Sequence, residues 1–317
     1  MKQDQCDVVI VGGGAAGLSA ALILGRSRRS VIVLDAGAPR NAPATHMHGF
    51  LSRDGFSPSE LLLAGRKEAA AYGVEFSAHT ATHARRTSDG RFVVTTDAGD
   101  EVAARRIILA TGVEDNLPSI PGVREAWGRT LLHCPYCHGY EVRDRRLAIF
   151  GGLPGAVTQA VLIRQWSADV TYLTNGVPLT EDDRRTLAAR RIGIREGTIT
   201  ALLTAGDQLD GVQLDGTQSL DVDAVFIRPV ARPRTELAVE LGATLAAGGF
   251  AHIDSSGRTS IPGLWVTGNL VDPRAQVITA AGHANAVAMD VNAELTDDDL
   301  RAALDSSHTP HTMTGRP

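Results

Sequence analysis

The chain has 317 residues, of which 43% are hydrophobic and 21% charged, and its formal net charge is -5. This length predicts about two domains with a substantial core, and a mildly acidic chain without blocks of like charge is not expected to bind nucleic acid or a membrane surface. The N-terminal residues lack the basic segment and long apolar stretch of an export signal, so we expect a cytoplasmic protein.

The first predicted elements are a strand, a tight turn and a helix. Residues 7–11 form an apolar strand, and residues 18–24 follow as a helical run. Between them, Gly12, Gly14 and Gly17 occupy the positions of a G-x-G-x-x-G motif. The three glycines allow the turn, the approach of a pyrophosphate and close packing of helix on strand. The alternative is a glycine-rich turn that binds nothing.

A second predicted strand, residues 30–34, ends in Asp35, about twenty residues beyond the glycines. A carboxylate at this position can accept hydrogen bonds from an adenosine ribose. The helix N-terminus that follows the glycine turn presents free N–H groups to phosphates. The context therefore favours a dinucleotide site over an empty turn.

The segment "LHCPYCHGYE", residues 132–141, holds two of the three cysteines, Cys134 and Cys137. The C-x-x-C-H spacing is compatible with haem attachment, with zinc or with a redox disulfide. Haem attachment normally follows export, for which no signal is seen, and a structural zinc site needs about four ligands. The only further thiol, Cys6, is predicted to be a small core residue. We therefore expect a redox pair and no metal.

A second strand–turn–helix pattern follows the cysteines. Residues 146–150 form a predicted strand, and Gly151 and Ala156 match the ends of a G-x-G-x-x-A motif. The middle glycine is replaced by Leu153, and Pro154 has no N–H to donate. The next strand ends without an acidic residue for a ribose or arginines for a 2′-phosphate. We interpret this region as a Rossmann-like domain that has lost the ability to bind a nucleotide.

Two later motifs complete the pattern. A strand over residues 105–109 leads into Ala110-Thr111-Gly112, and a strand over residues 263–267 leads into Gly268-Asn269. Residues 275–282 then predict a helix. The polar segment from Asp305 onward, "DSSHTPHTMTGRP", is predicted to be disordered.

In this order of motifs the chain resembles the FAD-dependent pyridine nucleotide-disulfide reductases, in particular the thioredoxin reductase branch. The resemblance implies an α/β fold with two Rossmann-like three-layer domains and a homodimer. Because FAD motifs lie at both ends, the expected FAD domain is discontinuous, residues 1–117 and 243–317. Residues 118–242 are expected to form a degenerate NAD(P)-type domain that carries the C-x-x-C.

The resemblance also implies which residues bind FAD. They are Gly12, Gly14, Ala15, Ala16, Gly17, Asp35, Arg40, His48, Ala110, Thr111, Gly112, Asn269, Gln276 and Val277. The family has Asp where Asn269 stands, and Asn can still bond a ribityl hydroxyl. Residues 275–282 look like the family's helix whose N-terminus abuts the flavin pyrimidine, where its dipole would stabilise an anionic reduced flavin. For His46 and His48 the alternative is a pair of surface loop histidines.

The motif C-x-x-C-H-G-Y-E is similar to that of the dithiol oxidases of the gliotoxin and holomycin type, whereas thioredoxin reductases have Asp where His138 stands. The resemblance implies that a small dithiol is oxidised to a cyclic disulfide, with Cys134 exchanging with substrate and Cys137 facing FAD. Molecular oxygen would then accept the electrons and give hydrogen peroxide. His138 is the candidate base.

The role of His133 stays open between catalysis and a place at the entrance. Two other functions remain as alternatives. One is a thioredoxin reductase that depends on NAD(P)H or a ferredoxin, and the other is a flavin redox sensor without turnover.

Overall fold

A computed structural model of the chain describes residues 4–206 and 208–307. By their contacts these residues form two compact units. The first consists of residues 1–39, 61–113 and 233–317 and the second of residues 40–60 and 114–232. The segment 40–60 thus groups with the middle of the chain, while the domain boundaries after residues 117 and 242 stay a prediction.

The helices and strands have the following bounds in chain order: β1 (Asp4–Val11), α1 (Ala15–Arg26), β2 (Val31–Leu34), α2 (Pro58–Ala70), β3 (Glu75–Ser77), β4 (Ala81–Arg86), β5 (Phe92–Thr96), β6 (Glu101–Leu109), β7 (Val113–Asn116), α3 (Val123–Ala126), β8 (Leu131–Leu132), α4 (Pro135–His138), β9 (Leu147–Phe150), α5 (Ala156–Ile163), β10 (Val170–Leu173), α6 (Glu181–Ala189), β11 (Gly193–Arg195), β12 (Ile199–Ala205), β13 (Gln208–Leu214), β14 (Gln218–Leu220), β15 (Ala224–Phe226), β16 (Val230–Pro233), α7 (Glu236–Glu240), β17 (Leu264–Val266) and α8 (Val277–Ser307). Short 3₁₀ helices lie at Ala247–Gly249 and Gly268–Leu270.

The first unit is built on a parallel sheet in the order β3-β2-β1-β6-β17. Strands β5 and β4 continue it antiparallel beside the first half of β6. Both faces of the sheet are covered, because Val9 and Val11 of β1 belong to one apolar cluster and Val8 and Ile10 to another. Parallel strands covered on both faces are continuous apolar runs, as the fully buried β2 is.

The second unit repeats this plan. Its parallel sheet has the order β11-β10-β9-β15-β8, and strands β12, β13 and β14 form a separate antiparallel sheet. Ala148 and Phe150 of β9 face one apolar cluster, and Leu147 and Ile149 face the other. The predicted α/β class with two Rossmann-like units is confirmed.

The C-terminal prediction needs one correction. Helix α8 continues to Ser307, so residues 305–307 are helical and not disordered. The preceding Ala302, Ala303 and Leu304 are strong helix formers and keep the helix intact up to residue 304. Extending an established helix by the next three residues then costs little. The rest of the predicted disordered segment, 308–317, lies outside the described residues. In the part of the chain that the structure describes, no helix has the length and apolar character needed to cross a membrane.

Candidate redox site

The glycine turn between β1 and α1 is closely packed where the fold needs contact and open where a ligand would lie. A side chain at Gly12, whose φ is +107°, would collide with the backbone oxygen of Ala110, and one at Gly17 with the backbone oxygen of Gly12. A Cβ at Gly14 would meet nothing within 4 Å. Ala15 and Ala16 form the first turn of α1, whose N-cap residue is Gly14. This geometry leaves room for a diphosphate at the helix N-terminus.

Asp35 follows β2 at the carboxyl edge of the same sheet. Its carboxylate accepts a hydrogen bond from Gly37 N at 3.3 Å and forms an ion pair with Arg66. Sequence reasoning missed Arg66, since an arginine in the middle of α2 has no motif around it. The Arg66 guanidinium also lies over the ring of Phe76, 5.3 Å from its centroid, and this contact orients it toward the carboxylate.

The residues after β6 and β17 lie at the same carboxyl edge as the glycine turn. Thr111 donates its hydroxyl to the backbone oxygen of Arg234 at 2.7 Å, and Gly112 has a φ of +69°. The Asn269 amide donates to the backbone oxygens of Asp272 and Ala275, both at 2.9 Å. Asp could not make these two bonds, so the amide that replaces the family's Asp holds the turn that leads to α8.

Helix α8 begins at Val277, directly after Gln276, whose backbone oxygen accepts from Ala280 N at 2.8 Å. The helix expected over residues 275–282 thus begins at Val277, and the assignment of Gln276 and Val277 to FAD stays a prediction. His283, in the second turn of α8, is a residue that sequence reasoning missed. Its Nδ1 lies 2.9 Å from the Thr267 hydroxyl, and burial lowers its pKa.

These features fit an FAD. The open space over Gly14, the uncapped α1 N-terminus and the Asp35 carboxylate supply what an adenosine diphosphate needs. The N-terminus of α8 supplies a second partial positive charge at the same sheet edge. When bound, the flavin supplies a two-electron carrier, and these residues of the first unit would hold it.

Cys134 and Cys137 form a disulfide in the second unit, with their Cα atoms 5.3 Å apart. Cys134 follows β8 and is the N-cap residue of the short helix α4, which begins with Pro135. Backbone bonds from the N–H groups of Cys137 and His138 to Cys134 O, both 3.2 Å, close the turn around the sulfurs. Cys6 is buried in β1, and burial raises its pKa to about 12, which confirms its prediction as a core residue.

Gly139 allows an aromatic side chain to pack against the redox turn. A Cβ there would lie 2.5 Å from Pro135 O and 2.8 Å from the Trp166 ring. The Trp166 ring in turn contacts the edge of Tyr136, with centroids 5.7 Å apart. Tyr136, between the cysteines, is 63% exposed. The glycine of the C-H-G-Y motif is thus required by close packing.

His138 directly follows the second cysteine and is kept neutral by its surroundings. Burial is the main cause that lowers its pKa, and the Glu141 carboxylate opposes this effect. The pKa of His133 is also lowered, by burial and by the charge of Arg40, while Asp115 raises it. A neutral imidazole can accept a proton at neutral pH, which is what a base for a thiol needs.

Arg40 and His48, both expected to contact FAD, have partners within the second unit. Arg40 pairs with Asp115 at 2.6 Å. The His48 ring lies between two carboxylates, with Nε2 3.4 Å from Glu141 and Nδ1 3.2 Å from Asp54. Their assignment to FAD stays a prediction. The structure brings His48 together with Glu141 of the redox motif, a pairing that nothing in the sequence indicated.

Gln159 of α5 holds the segment that leads into Cys134. Its Nε2 donates to the backbone oxygens of His133 at 3.0 Å and Ile227 at 3.1 Å, just beyond the ends of β8 and β15. Its Oε1 is buried without a hydrogen-bond partner among the described residues. The bridge ties the ends of two adjacent parallel strands at the point where the redox turn begins.

The second glycine turn, between β9 and α5, differs from the first as the sequence predicts. Leu153 packs against the apolar cluster that contains Phe150. Helix α5 begins only at Ala156, after Pro154. A Cβ at Gly155 would collide with the Arg228 guanidinium, which therefore lies against the helix N-terminus. A half-buried leucine side chain thus stands in the second unit at the motif position that the open Gly14 has in the first.

A redox disulfide on one Rossmann-like unit and a dinucleotide turn on another define a flavin- and disulfide-dependent oxidoreductase. Residues 6–285 match the model of the pyridine nucleotide-disulphide oxidoreductase family, and the chain belongs to that family.

Thioredoxin reductase sirT of Leptosphaeria maculans is 30% identical over 314 residues, covering 93% of this chain and 96% of that protein. The crystal structure of HlmI superposes with a TM-score of 0.93 at 48% identity, over 95% of this chain and 96% of that chain. An oxidoreductase from Agrobacterium tumefaciens has a TM-score of 0.84 at 33% identity, over 92% and 99%. The protein is a thioredoxin reductase-like oxidoreductase, and its cofactor is FAD.

Proposed function

We propose that the protein oxidises a small-molecule dithiol to a cyclic disulfide through Cys134 and Cys137, with dioxygen as the final electron acceptor. The observation that carries the proposal is the second glycine turn, where Leu153 packs into the core and Pro154 removes an N–H donor. Without a nicotinamide nucleotide as reductant, a dithiol that reduces the Cys134–Cys137 disulfide is the proposed source of the electrons. By its resemblance to the gliotoxin and holomycin oxidases, the protein acts in the biosynthesis of, or self-protection against, a disulfide antibiotic.

The exchange follows thiol chemistry. A substrate thiolate attacks the Cys134 sulfur, which forms a mixed disulfide and releases the Cys137 thiolate. The second substrate thiol then attacks its own partner sulfur, closes the ring and releases Cys134. The substrate loses two electrons and two protons, and the enzyme disulfide gains the two electrons.

His138 is the base in this proposal. Its lowered pKa leaves the imidazole neutral at neutral pH, so it can take the proton of the attacking thiol. FAD held at the Gly12–Gly17 turn would supply the carrier through which the electron pair of the two cysteines reaches dioxygen, and dioxygen with two protons would give hydrogen peroxide. Each turnover therefore consumes one dithiol and one dioxygen.

An NAD(P)H-dependent thioredoxin reductase is the second candidate, and one observation favours it. Arg228 places a guanidinium against Gly155, at the N-terminus of α5, where a dinucleotide phosphate would lie in an intact Rossmann unit. Relatives such as sirT carry the name thioredoxin reductase. Leu153 and Pro154 argue against this candidate, because both oppose the approach of a pyrophosphate.

The two candidates differ in what reduces the flavin. Under strictly anaerobic conditions, the purified yellow protein is mixed first with NADPH and then with reduced holomycin or dithiothreitol, while the flavin absorbance is followed. The proposal expects bleaching by the dithiol alone and recovery of the absorbance, with hydrogen peroxide, when air is admitted. Bleaching by NADPH would favour the reductase instead.

Cysteine variants test the route of the electrons. Cys134→Ser and Cys137→Ser should each abolish dithiol oxidation while the protein stays yellow, because neither variant can form the disulfide. Cys6→Ser, at a buried cysteine in the other unit, is the matched control and should retain turnover. Turnover retained in either of the first two variants would exclude the mechanism.

A further inference from the structure

The strand that leads into Cys134 is short. Strand β8 consists of Leu131 and Leu132 and stands at one end of its parallel sheet, beside β15. The pairing of the two strands ends with Leu132 opposite Phe226. The backbone of His133 and Cys134 therefore lies beyond the hydrogen-bond ladder of the sheet, and the ladder does not hold it in place.

Gln159 of α5 holds this backbone by a hydrogen bond. Its Nε2 donates to His133 O at 3.0 Å and to Ile227 O at 3.1 Å. The Gln159 side chain is 7% exposed. The two acceptors determine the orientation of the amide, since a flipped amide would place its oxygen against both carbonyl oxygens. The amide thus ties the residue before Cys134 to the end of the neighbouring strand.

Helix α5 gives Gln159 a fixed position relative to β8. Gln159 N donates to Gly155 O at 3.0 Å, in the first turn of the helix. Ala160 and Ile163 of the same helix belong to the apolar cluster that contains Leu132 of β8. Because packed interiors leave side chains little room to move, the helix and the strand keep the amide and the His133 carbonyl in register.

We propose that Gln159 is a positioning residue for thiol–disulfide exchange, which holds the His133 backbone so that Cys134 stays close to Cys137 after the disulfide opens. The proposal rests on the exchange at this pair that the proposed function uses. In the disulfide the two Cα atoms are 5.3 Å apart, within the usual range for a disulfide. A held backbone keeps this separation in the dithiol form, which raises the effective concentration of one thiol at the other and favours closure.

A positioning role and a structural role differ in the quantity that they change. A hydrogen bond that serves both redox forms equally contributes to stability and leaves the thiol–disulfide equilibrium unchanged. A bond that keeps the opened cysteines together favours the disulfide over the dithiol. In exchange with dithiothreitol, the enzyme disulfide gains two electrons and two protons, and dithiothreitol loses them as it closes to its cyclic disulfide. The ratio of reduced to oxidised dithiothreitol at half reduction of the enzyme therefore measures the difference.

The test determines this ratio for FAD-loaded Gln159→Leu and wild type in anaerobic buffers of reduced and oxidised dithiothreitol. After acid quenching, the thiols are alkylated in denaturant, and mass spectrometry gives the reduced fraction of Cys134 and Cys137, with the free Cys6 as internal reference. We expect half reduction of Gln159→Leu at a ratio about three- to tenfold lower than in the wild type, the equivalent of one typical hydrogen bond.

Ile163→Val is the matched control, because Ile163 is buried on the same helix and contacts the core instead of the bridge. This variant should melt at a lower temperature and keep the wild-type ratio.

Gln159→Glu tests whether a restored donor restores the equilibrium. A protonated carboxyl can donate to one carbonyl oxygen and a carboxylate cannot, so the ratio should approach the wild-type value at pH 5 and depart from it at pH 8. His133 Nδ1 lies 3.4 Å from Ile227 O. Because this imidazole titrates in the wild type as well, each variant is compared with the wild type at the same pH.

Two results would overturn the proposal. A wild-type ratio in Gln159→Leu would leave Gln159 with a structural role only, and an equal shift in Ile163→Val would trace the effect to a general loosening of the helix. The proposed function is judged separately, by bleaching of the flavin. A wild type whose cysteines are reduced by dithiothreitol while its flavin stays oxidised would refute the oxidase, and the ratio would still decide the role of Gln159.

Discussion

The Gln159 bridge is open to a direct stability test with Gln159→Leu. The side chain is 7% exposed and donates to two backbone oxygens, those of His133 and Ile227. Leucine fills a similar volume but donates nothing, so the carbonyl groups of His133 and Ile227 each lose a partner, at a cost of about 1–3 kcal/mol. Ile227 O keeps a contact of 3.4 Å with His133 Nδ1. The substitution also removes the unpaired Oε1, which recovers about one such cost. The net loss is therefore about 2 kcal/mol.

Thermal unfolding of the FAD-loaded protein measures this loss. A change of about 1 kcal/mol shifts the melting temperature by about 2–4 °C in proteins of about 150–250 residues, so Gln159→Leu should melt several degrees lower than the wild type. Gln165→Leu, just after the same helix at an exposed position, is the matched control and should change the free energy of unfolding by no more than about 0.5 kcal/mol.

A second substitution at the same site, Gln159→Glu, tests the bridge through the pH dependence of the variant's stability. Gln159→Glu puts a carboxylate against two carbonyl oxygens, and only its protonated form can donate a bond. Its folded-state pKa is therefore raised, so its stability relative to the wild type should be better at pH 5 than at pH 8. A Gln159→Leu protein that melts within about 1 °C of the wild type, or a Gln159→Glu deficit that is independent of pH, would refute the bridge.

Three further outcomes are expected. Leu153→Gly should leave dithiol oxidation per flavin unchanged and lower the melting temperature, since the lost packing of a half-buried leucine costs about 1–2 kcal/mol. Asn269→Asp should lower the melting temperature of the FAD-loaded protein, because a carboxylate there faces two carbonyl oxygens. Burial lowers the pKa values of His133, His138 and His283 below 6.5, so the unfolded chain binds more protons. Their stability contribution should be complete above pH 6.5 and decline as the pH falls below it, in melting curves at pH 7.5 and 5.5.

The elements that the sequence predicted are those specified by local patterns. The apolar strand before Gly12 and the glycine turn each depend on a few consecutive residues and lie where expected, and the helix expected from residue 275 begins at Val277. The disulfide between Cys134 and Cys137 could also be predicted from the sequence, because the two cysteines lie within one helical turn. These elements are predictable because the steric limits of the backbone and short spacings along the chain determine them.

The contacts that complete the site could not be predicted, because they join residues far apart in the chain. His48 and Glu141 are separated by 93 positions, and Gln159 reaches Ile227 across 68. Glutamine in an apolar helix gives no sign of whether its amide bridges two strand ends or faces solvent. Likewise, no pattern marks residues 40–60 as packing with the middle of the chain. Register and topology decide these pairings, and both arise only when the sheets form.

The two Rossmann-like units differ at one position of their glycine turns, Gly14 in the first and Leu153 in the second. Each has a parallel sheet, a turn after its first central strand and a helix that follows, yet a Cβ is free at Gly14 while Leu153 is packed. The first unit has its turn open at Gly14, and at the corresponding position the second unit has a leucine that packs against its core. The proposed dithiol oxidase needs one flavin carrier and one disulfide, and the open turn of the first unit and the Cys134–Cys137 pair of the second would supply them.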